Sequence, residues 1–214
     1  MTRTFRRLDP ERQQAILVAI LDEAVEKGPT RVNIKQVAER ADVSVGSLYT
    51  YFPNREGMLA FAVEVCVRFV SDAFDEFRPY LVALPLRDAL GAYLLGGIEW
   101  SRMYVRLLRL FARAAYHGDP ELADPLVHPV ATQLREMVHD ILIHAAERGE
   151  IRDGVDLGAT ARLIHALTIA AGDSQLLPYL NTYFQVVDED VPPERALEAL
   201  IDLVMRGVGA GEKA

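Results

Sequence analysis

The chain has 214 residues, of which half are hydrophobic and a quarter are charged, and its formal net charge is −8. This balance is that of a globular protein with one large or two small domains, and it excludes an intrinsically disordered chain. The single cysteine, Cys66, can form no internal disulfide bond, which indicates a reducing, cytoplasmic compartment.

The apolar run near the start of the chain is predicted to be a helix of the fold and not a targeting segment. Residues 15–21 follow three arginines, as in a signal peptide, but acidic residues bracket the run and no small-residue cleavage site follows. Leu17, Ile20, Leu21 and Ala24 instead recur at the spacing of one helix face. No apolar run approaches the ~18 residues of a membrane helix, so we expect no membrane span.

The first helices are marked by clear start and stop signals. Asp9 precedes a proline at the first helical position, and Gly28 ends the segment. Asn33 and Ser44 are the predicted N-caps of two short helices, and Asn54 is that of a long helix extending to about residue 77. The periodicity is helical throughout, so the sequence predicts an all-α fold.

The remainder of the chain is predicted to be a helical bundle that follows a linker. Pro79 and Pro85 bound that linker. Further helices are predicted at about 86–100, 102–116, 129–148, 156–177 and 193–207, whereas 178–192 is expected to be an irregular segment. Residues 1–60 hold nine Lys/Arg and eight Asp/Glu, and residues 61–214 hold fourteen and twenty-three. A near-neutral first part before an acidic second part suggests two different functions.

The two short helices and the bend 41-ADVS-44 have the plan of a helix-turn-helix, whose second helix lies in the major groove of DNA. Asp42 stands at the turn position, where aspartate tolerates the left-handed conformation better than most residues. With Leu48 and Phe52 facing inward, the residues expected to face outward are Gly46, Ser47, Thr50 and Tyr51. Hydroxyls and phenols suit phosphate oxygens and base edges, and glycine lets the backbone approach another surface.

The segment 33-NIKQVAERADVSVGSLYTYFPNREGML-59 resembles the tetracycline-repressor (TetR) family pattern A-G-V-S-x-G-T-L-Y-x-Y-F-x-N-K-E-x-L. The departures are Asp42 for glycine, Ser47 for threonine, Arg55 for lysine, and Val45 where a polar or basic residue often contacts DNA. The resemblance implies a three-helix helix-turn-helix DNA-binding domain at residues 1–53. It further implies a larger helical bundle at residues 54–214 for effector binding and dimerisation.

The resemblance also assigns residues to the duplex. The implied DNA-binding set is Lys35, Gly46, Ser47, Tyr49, Thr50, Tyr51 and Arg55. Arg55 would reach the DNA backbone beside the positive end of the long fourth helix. Tyr49 has an alternative interpretation, because its spacing from Val45 would also suit packing in the core.

The C-terminal part matches the family in helical layout, and its details stay open. Helices 129–148 and 156–177 look like a dimerisation pair with stripes of apolar and small residues, although the same stripes would also suit an internal core. The candidate walls of an effector pocket are Trp100, Met103, Tyr104, Leu107, Arg109, Phe111 and Tyr116. Arg102, Arg106, Arg109 and Arg113 form a stripe on one predicted helix, which is either a solvated face or a binding site for an anionic ligand.

The resulting hypothesis is a homodimeric, ligand-responsive transcriptional regulator, most simply a repressor of a palindromic double-stranded DNA operator. We expect no catalytic residue, no cofactor and no metal site, because one Glu-x-x-His pair and scattered histidines lack metal-ligand spacing. Two alternatives remain. The chain could be an all-helical enzyme, metal-dependent or acting on a lipid-like substrate, or a DNA-binding protein whose C-terminal half only dimerises or contacts proteins.

Overall fold

The structure is a computed structural model and describes residues 4–28, 31–117 and 122–210. Within these ranges the chain is all-α, as the sequence predicted, with a 3-10 turn (Phe5–Arg7) at the start and a short π-helix (Ala123–Val127) before α7. The α-helices in chain order are α1 (Pro10–Lys27), α2 (Ile34–Arg40), α3 (Val45–Tyr51), α4 (Arg55–Ala83), α5 (Leu86–Met103), α6 (Val105–His117), α7 (His128–Glu147), α8 (Leu157–Leu176), α9 (Pro178–Phe184) and α10 (Pro193–Val208). None of these helices is long and apolar enough to span a bilayer.

The predicted helix starts in the first part of the chain are confirmed. The side chains of Asp9, Asn33, Ser44 and Asn54 each accept a hydrogen bond from a backbone N–H two or three residues later, at 2.7 to 3.0 Å. Such caps satisfy donors that have no partner inside the helix. Gly28 ends α1 with a φ of 89°, a conformation that side chains disfavour.

The predicted linker between Pro79 and Pro85 is wrong, because α4 continues through Pro79 to Ala83. A proline inside a helix removes one backbone hydrogen bond, so it weakens the helix without always ending it. The end of α4 is stabilised from a distant part of the sequence. Arg148 donates to the carbonyl oxygens of Val82 at 2.8 Å and Leu84 at 2.6 Å.

Two further boundaries differ from the prediction. The predicted helix 102–116 is interrupted at Tyr104, whose φ of −113° and ψ of 35° separate α5 from α6. Arg102 therefore belongs to α5 and not to the helix that carries Arg106. The segment 178–192, expected to be irregular, begins with the short helix α9, which Pro178 starts and Gln185 ends in the left-handed conformation.

The chain divides into two compact units. The head unit consists of Met1–Phe69 and Arg106–His128, and the body unit consists of Val70–Val105 and Pro129–Ala214. Helix α4 therefore runs through both units, and α6 belongs to the head unit. The functional division at residue 53 stays a prediction, because compactness does not reveal which part binds DNA or an effector.

The core of the body unit is formed by α5, α7, α8 and α10, and α5 packs against both α8 and α10. Most residues of the two stripes considered for dimerisation are buried, so the alternative of an internal core fits these residues, and a part for the two helices in a dimer stays a prediction. Their buried members are Val130, Met137, Val138, Ile141, Ala145, Ala161, Ile164 and Ala171. The helices present these faces inward because their apolar residues recur every three or four positions.

Hydrogen bonds to Glu150, in the turn after α7, connect that turn to the start of α5 and to the segment after α10. Glu150 accepts hydrogen bonds from the N–H of Leu86, at the start of α5, and from Arg148, while Ala210 donates to the Glu150 carbonyl oxygen at 2.8 Å. Burial raises the pKa of the Glu150 carboxyl, but the hydrogen bonds from Arg148 and Leu86 outweigh burial and leave the pKa below its ordinary value. Glu150 is therefore an ionised structural group at neutral pH.

Cys66 packs in α4. It is 4% exposed, and burial raises the pKa of its thiol to about 12. A thiol with so high a pKa forms almost no thiolate at neutral pH, so Cys66 is a packing residue.

Candidate nucleic-acid interface

A helix-turn-helix is formed by α2, the turn at residues 41–44 and α3. Asp42 adopts a φ of 51°, in the left-handed region, as its position in the turn predicted. The turn is closed by the N–H of Val43, which donates to the Ala38 carbonyl oxygen at 3.0 Å. Val37 and Ala38 on α2 are buried, so α2 supports the turn from the core of the head unit.

The recognition helix α3 has one buried face and one exposed face. Leu48 and Phe52 are each 2% exposed and hold the helix to the head unit. Tyr49 is 55% exposed, so the alternative that it packs in the core is wrong. Lys35, on α2, and Thr50 are also exposed, and Tyr51 is half-buried. The outward face predicted from the sequence is therefore the outward face of the folded chain.

The hydroxyl groups on that face are oriented by hydrogen bonds within the chain. The Thr50 hydroxyl donates to the Gly46 carbonyl oxygen at 3.0 Å, and the Ser47 and Ser44 hydroxyls lie 2.8 Å apart. A hydroxyl that donates inside the helix keeps its acceptor lone pairs for another surface. A threonine on the exposed face of a recognition helix can also place its methyl group against a thymine methyl.

Gly46 is not required by the packing of the chain. A Cβ atom at this position would meet only the Ser44 hydroxyl oxygen, at 3.8 Å, which is ordinary van der Waals contact. Glycine is a poor helix former. A glycine that the fold does not need, on the exposed face of a short helix, leaves room for another molecule to approach the backbone.

Arg55 begins α4 directly beyond the end of α3, and it pairs with its neighbour Glu56. The distance from the Arg55 guanidinium to the Glu56 carboxylate is 3.1 Å. The backbone N–H of Glu56, and then the Arg55 side chain, lower the pKa of the Glu56 carboxyl below its usual value. The positive charge of Arg55 is therefore partly balanced by a fully ionised neighbour before any nucleic acid binds.

An aromatic cluster supports the end of α3, and sequence reasoning missed its central residue. Phe5, in the 3-10 turn before α1, is 1% exposed. The centroid of its ring lies 5.8 Å from that of Tyr51, 5.3 Å from Phe52 and 4.9 Å from Phe61. The available signal was a single aromatic residue inside an arginine-rich segment. The arginine-rich segment before α1 is therefore anchored in the core at Phe5.

A buried carboxylate joins α1 to α2. Glu23 is 1% exposed and lies 3.3 Å from Arg40, which also makes two hydrogen bonds to Glu26, at 3.0 and 2.6 Å. The hydrogen bond from Arg40 lowers the pKa of Glu26, and the same bond raises the pKa of Arg40. Because Arg40 is paired with two carboxylates of α1, it is not included among the cations proposed to contact DNA.

A known family of bacterial regulatory proteins matches this part of the chain. Residues 16–61 match the model of the family described as bacterial regulatory proteins, tetR family. The chain is 47% identical to the transcriptional repressor KstR of Mycolicibacterium smegmatis over 53 residues. These residues make up 25% of this chain and 26% of KstR. It is 30% identical over 115 residues to the transcriptional regulator RutR of Escherichia coli strain K12, covering 54% and 53% of the two chains.

A solved structure extends the likeness over nearly the whole chain. A protein from Rhodococcus sp. described as a TetR-family transcriptional regulator is 27% identical, with a TM-score of 0.63, over 92% of this chain and 100% of that one. The match to the tetR family model itself is confined to residues 16–61, the part of the chain that holds the helix-turn-helix. The regulator FadR of Bacillus halodurans shares the fold, with a TM-score of 0.70 at 15% identity over 97% of this chain and 98% of that one. The matched region spans only about a quarter of KstR and about half of RutR.

The arginine stripe is divided between the units, and Arg102, Arg106 and Arg113 bind protein groups. On α6, Arg106 lies 2.5 Å from the Asp22 carboxylate and Arg113 donates to the Val25 carbonyl oxygen, so both bind α1 inside the head unit. Arg102, on α5, pairs with two carboxylates of the body unit. Arg102 and Arg106 are therefore exposed and paired with carboxylates, whereas Arg113 is half-buried and bonded to a backbone carbonyl oxygen. Binding of an anionic ligand by the stripe stays a prediction.

The predicted pocket walls are also distributed over both units. Trp100 and Tyr104 lie in the body unit with ring centroids 4.9 Å apart, and Met103 beside them is 71% exposed. The other four, Leu107, Arg109, Phe111 and Tyr116, lie in the head unit. Leu107 and Phe111 are buried, and Tyr116 is 42% exposed. That these seven residues bind an effector stays a prediction.

Proposed function

We propose that the protein is a ligand-responsive transcriptional regulator that binds a palindromic operator as a homodimer and releases it when a small-molecule effector binds. The observation that carries the proposal is the recognition helix α3, whose buried face is fixed by Leu48 and Phe52 and whose exposed face holds Tyr49 and Thr50. This is the arrangement that places a short helix in the major groove. Such a protein acts in the cytoplasm, where the DNA is.

The contacts with DNA divide into two kinds. Ser47 and Thr50 are proposed to contact base edges, because they carry short polar groups on the exposed face of α3. Lys35, Tyr49, Tyr51 and Arg55 are proposed to contact phosphates, which fixes the register of the helix in the groove. Gly46 lets the backbone of α3 approach the duplex.

The proposed dimer face lies on α8 and α10, which pack against each other in the body unit. Leu163 and Leu167 on α8 are 67% and 48% exposed, and Leu203 on α10 is 64% exposed. Leucines exposed on two neighbouring helices form the kind of apolar surface that a partner covers. The partner we propose is a second copy of the chain, because a two-fold operator needs two recognition helices about 34 Å apart or a multiple of that distance.

The proposed response to an effector is a coupling of free energy between two sites. An effector that weakens operator binding 100-fold requires a coupling of about 2.7 kcal/mol, and the operator must weaken effector binding by the same factor. The α6 helix is a suitable element for this coupling, because Arg106 and Arg113 fasten it to α1 of the head unit.

The experiment that tests the proposal is a selection of duplexes from random sequence with the purified protein, followed by measurement of affinity as a function of salt. We expect a two-fold symmetric motif. Arg55→Ala should weaken binding to all sequences and reduce the slope of log K against log salt by roughly 0.9 for each phosphate that is no longer neutralised. Ser47→Ala or Thr50→Ala should change the selected motif instead. A protein that retains no duplex at low salt would refute the proposal.

The enzyme alternative predicts turnover or bound metal and no affinity for DNA, so the same selection separates it from a regulator. Thermal unfolding in the presence of a panel of metabolites separates the remaining alternative, in which the C-terminal part only dimerises. A true effector raises the unfolding temperature by mass action, and it should then reduce operator affinity. A panel that produces no shift would favour a body unit without an effector site.

A further inference from the structure

The 3-10 turn before α1 displays two arginines from a fixed position in the head unit. Arg6 and Arg7 are exposed, whereas Phe5, which precedes them, is buried. The turn is closed by the N–H of Arg7, which donates to the Thr4 carbonyl oxygen at 3.2 Å, and by that of Leu8, which donates to the Phe5 carbonyl oxygen at 3.0 Å. The backbone that carries both guanidinium groups is therefore held in place.

The turn is held at both ends. At one end the Phe5 ring contacts Tyr51 and Phe52 at the end of the recognition helix. At the other end the side chain of Gln13, in the first turn of α1, donates to the Leu8 carbonyl oxygen at 2.8 Å. Anchoring by a buried aromatic ring and a part-buried hydrogen bond removes much of the conformational entropy that a free arm would lose on binding.

The charges of the two arginines are not neutralised within the described residues. Neither guanidinium forms an ion pair there, unlike Arg40, Arg55 and Arg106 of the same unit. Two adjacent residues of a 3-10 turn point in directions about 120° apart, so they suit neighbouring points of an extended anionic surface better than one compact anion. The Phe5–Tyr51 contact places the turn beside the C-terminal end of α3.

We propose that Arg6 and Arg7 bind phosphate groups of the DNA strand that flanks the segment read by α3. This inference rests on the proposed function, and it adds a second element that contacts DNA, outside the helix-turn-helix. A duplex carries one negative charge for about every 1.7 Å of its axis, so cations beside the recognition helix lie within a dense row of phosphates. The contacts are independent of sequence and lengthen each half-site.

The experiment compares the wild-type protein with the double variants R6A/R7A and R6K/R7K on the duplex recovered by selection, by fluorescence anisotropy over a range of salt concentrations. Both residues are exposed, so the variants should fold normally. Removal of four phosphate-binding groups per dimer should reduce the salt slope by about 3.6, and the affinity ratio of wild type to R6A/R7A should fall about 150-fold between 50 and 200 mM salt. The R6K/R7K variant should retain most of the slope, because a phosphate accepts lysine as a point charge.

The matched control is R87A/R152A, which removes the same charge from exposed positions of the body unit and should leave the slope unchanged. An R6A/R7A variant with the wild-type slope would overturn the inference while leaving the proposed function intact. An R6K/R7K variant that behaves like R6A/R7A would overturn the assignment to phosphates. A wild-type protein that binds no duplex would instead refute the proposed function itself.

Discussion

Replacing Gly46 by alanine should make the protein more stable and at the same time a weaker binder of DNA. The added Cβ atom meets only the Ser44 hydroxyl oxygen, at 3.8 Å, and the backbone at Gly46 is not in the left-handed region, so alanine fits without strain. Alanine is favoured over glycine by about 0.8–1.0 kcal/mol in the interior of a helix. Gly46 is the second residue of α3, so we expect roughly 0.5 kcal/mol for each chain.

That gain corresponds to a rise of about 1–2 °C in the unfolding temperature of a chain of this size, which scanning calorimetry resolves. The same methyl group stands on the exposed face of α3, where the backbone is proposed to approach the duplex. The methyl group should keep the backbone of α3 away from the duplex and so reduce operator affinity at least tenfold, which corresponds to about 1.4 kcal/mol. Anisotropy measurements on the selected duplex give this value directly.

A matched control is available in the body unit. Gly97 lies within α5, and a Cβ atom there would have no neighbour within 4 Å. Gly97→Ala should therefore raise the unfolding temperature as Gly46→Ala does, with no change in DNA affinity. If Gly46→Ala binds the operator as tightly as the wild type, the reasoning that α3 approaches DNA through this residue is wrong.

Three other predictions follow from the geometry. Leu163→Glu should convert the dimer into a monomer in sedimentation experiments, because it places a charge on the proposed dimer face. The control Tyr80→Glu, at a similarly exposed position on α4, should leave the protein dimeric. A Leu163→Glu variant that stays dimeric would exclude the proposed face. Glu56→Gln should strengthen DNA binding several-fold by releasing Arg55, and unchanged affinity would show that this ion pair does not compete with phosphate. Glu150→Gln should lower the free energy of unfolding by about 1 kcal/mol at pH 7. Because the pKa of Glu150 is lowered from 4.5, this difference should disappear as the pH falls below about 4.5, and a constant difference in urea titrations would contradict it.

The part of the fold that could be predicted from the sequence is the part set by local interactions. The caps at Asn33, Ser44 and Asn54 and the left-handed turn at Asp42 depend on residues within three or four positions. The orientation of α3 followed from the same local spacing, so its exposed face was predicted correctly. The assignment of that face to DNA stays a prediction.

The failures concern interactions between distant residues. Nothing near Pro79 indicates that α4 continues, because the group that stabilises its end is Arg148, more than sixty residues later. Phe5 was missed because its partners, Tyr51 and Phe61, are also distant in sequence. The stripe on α7 suited a partner chain and an internal core equally, because periodicity identifies an apolar face without identifying what covers it.

The interruption at Tyr104 lies at one of the places where the chain passes between its two units. The chain passes between the head and body units at three places, near residues 69, 105 and 128. The first lies within helix α4, whereas the second lies next to a single non-helical residue, Tyr104. Two backbone torsions at Tyr104 can therefore redirect the chain at the second passage without breaking a helix, whereas a sharp change of direction at the first passage would disrupt helical hydrogen bonds.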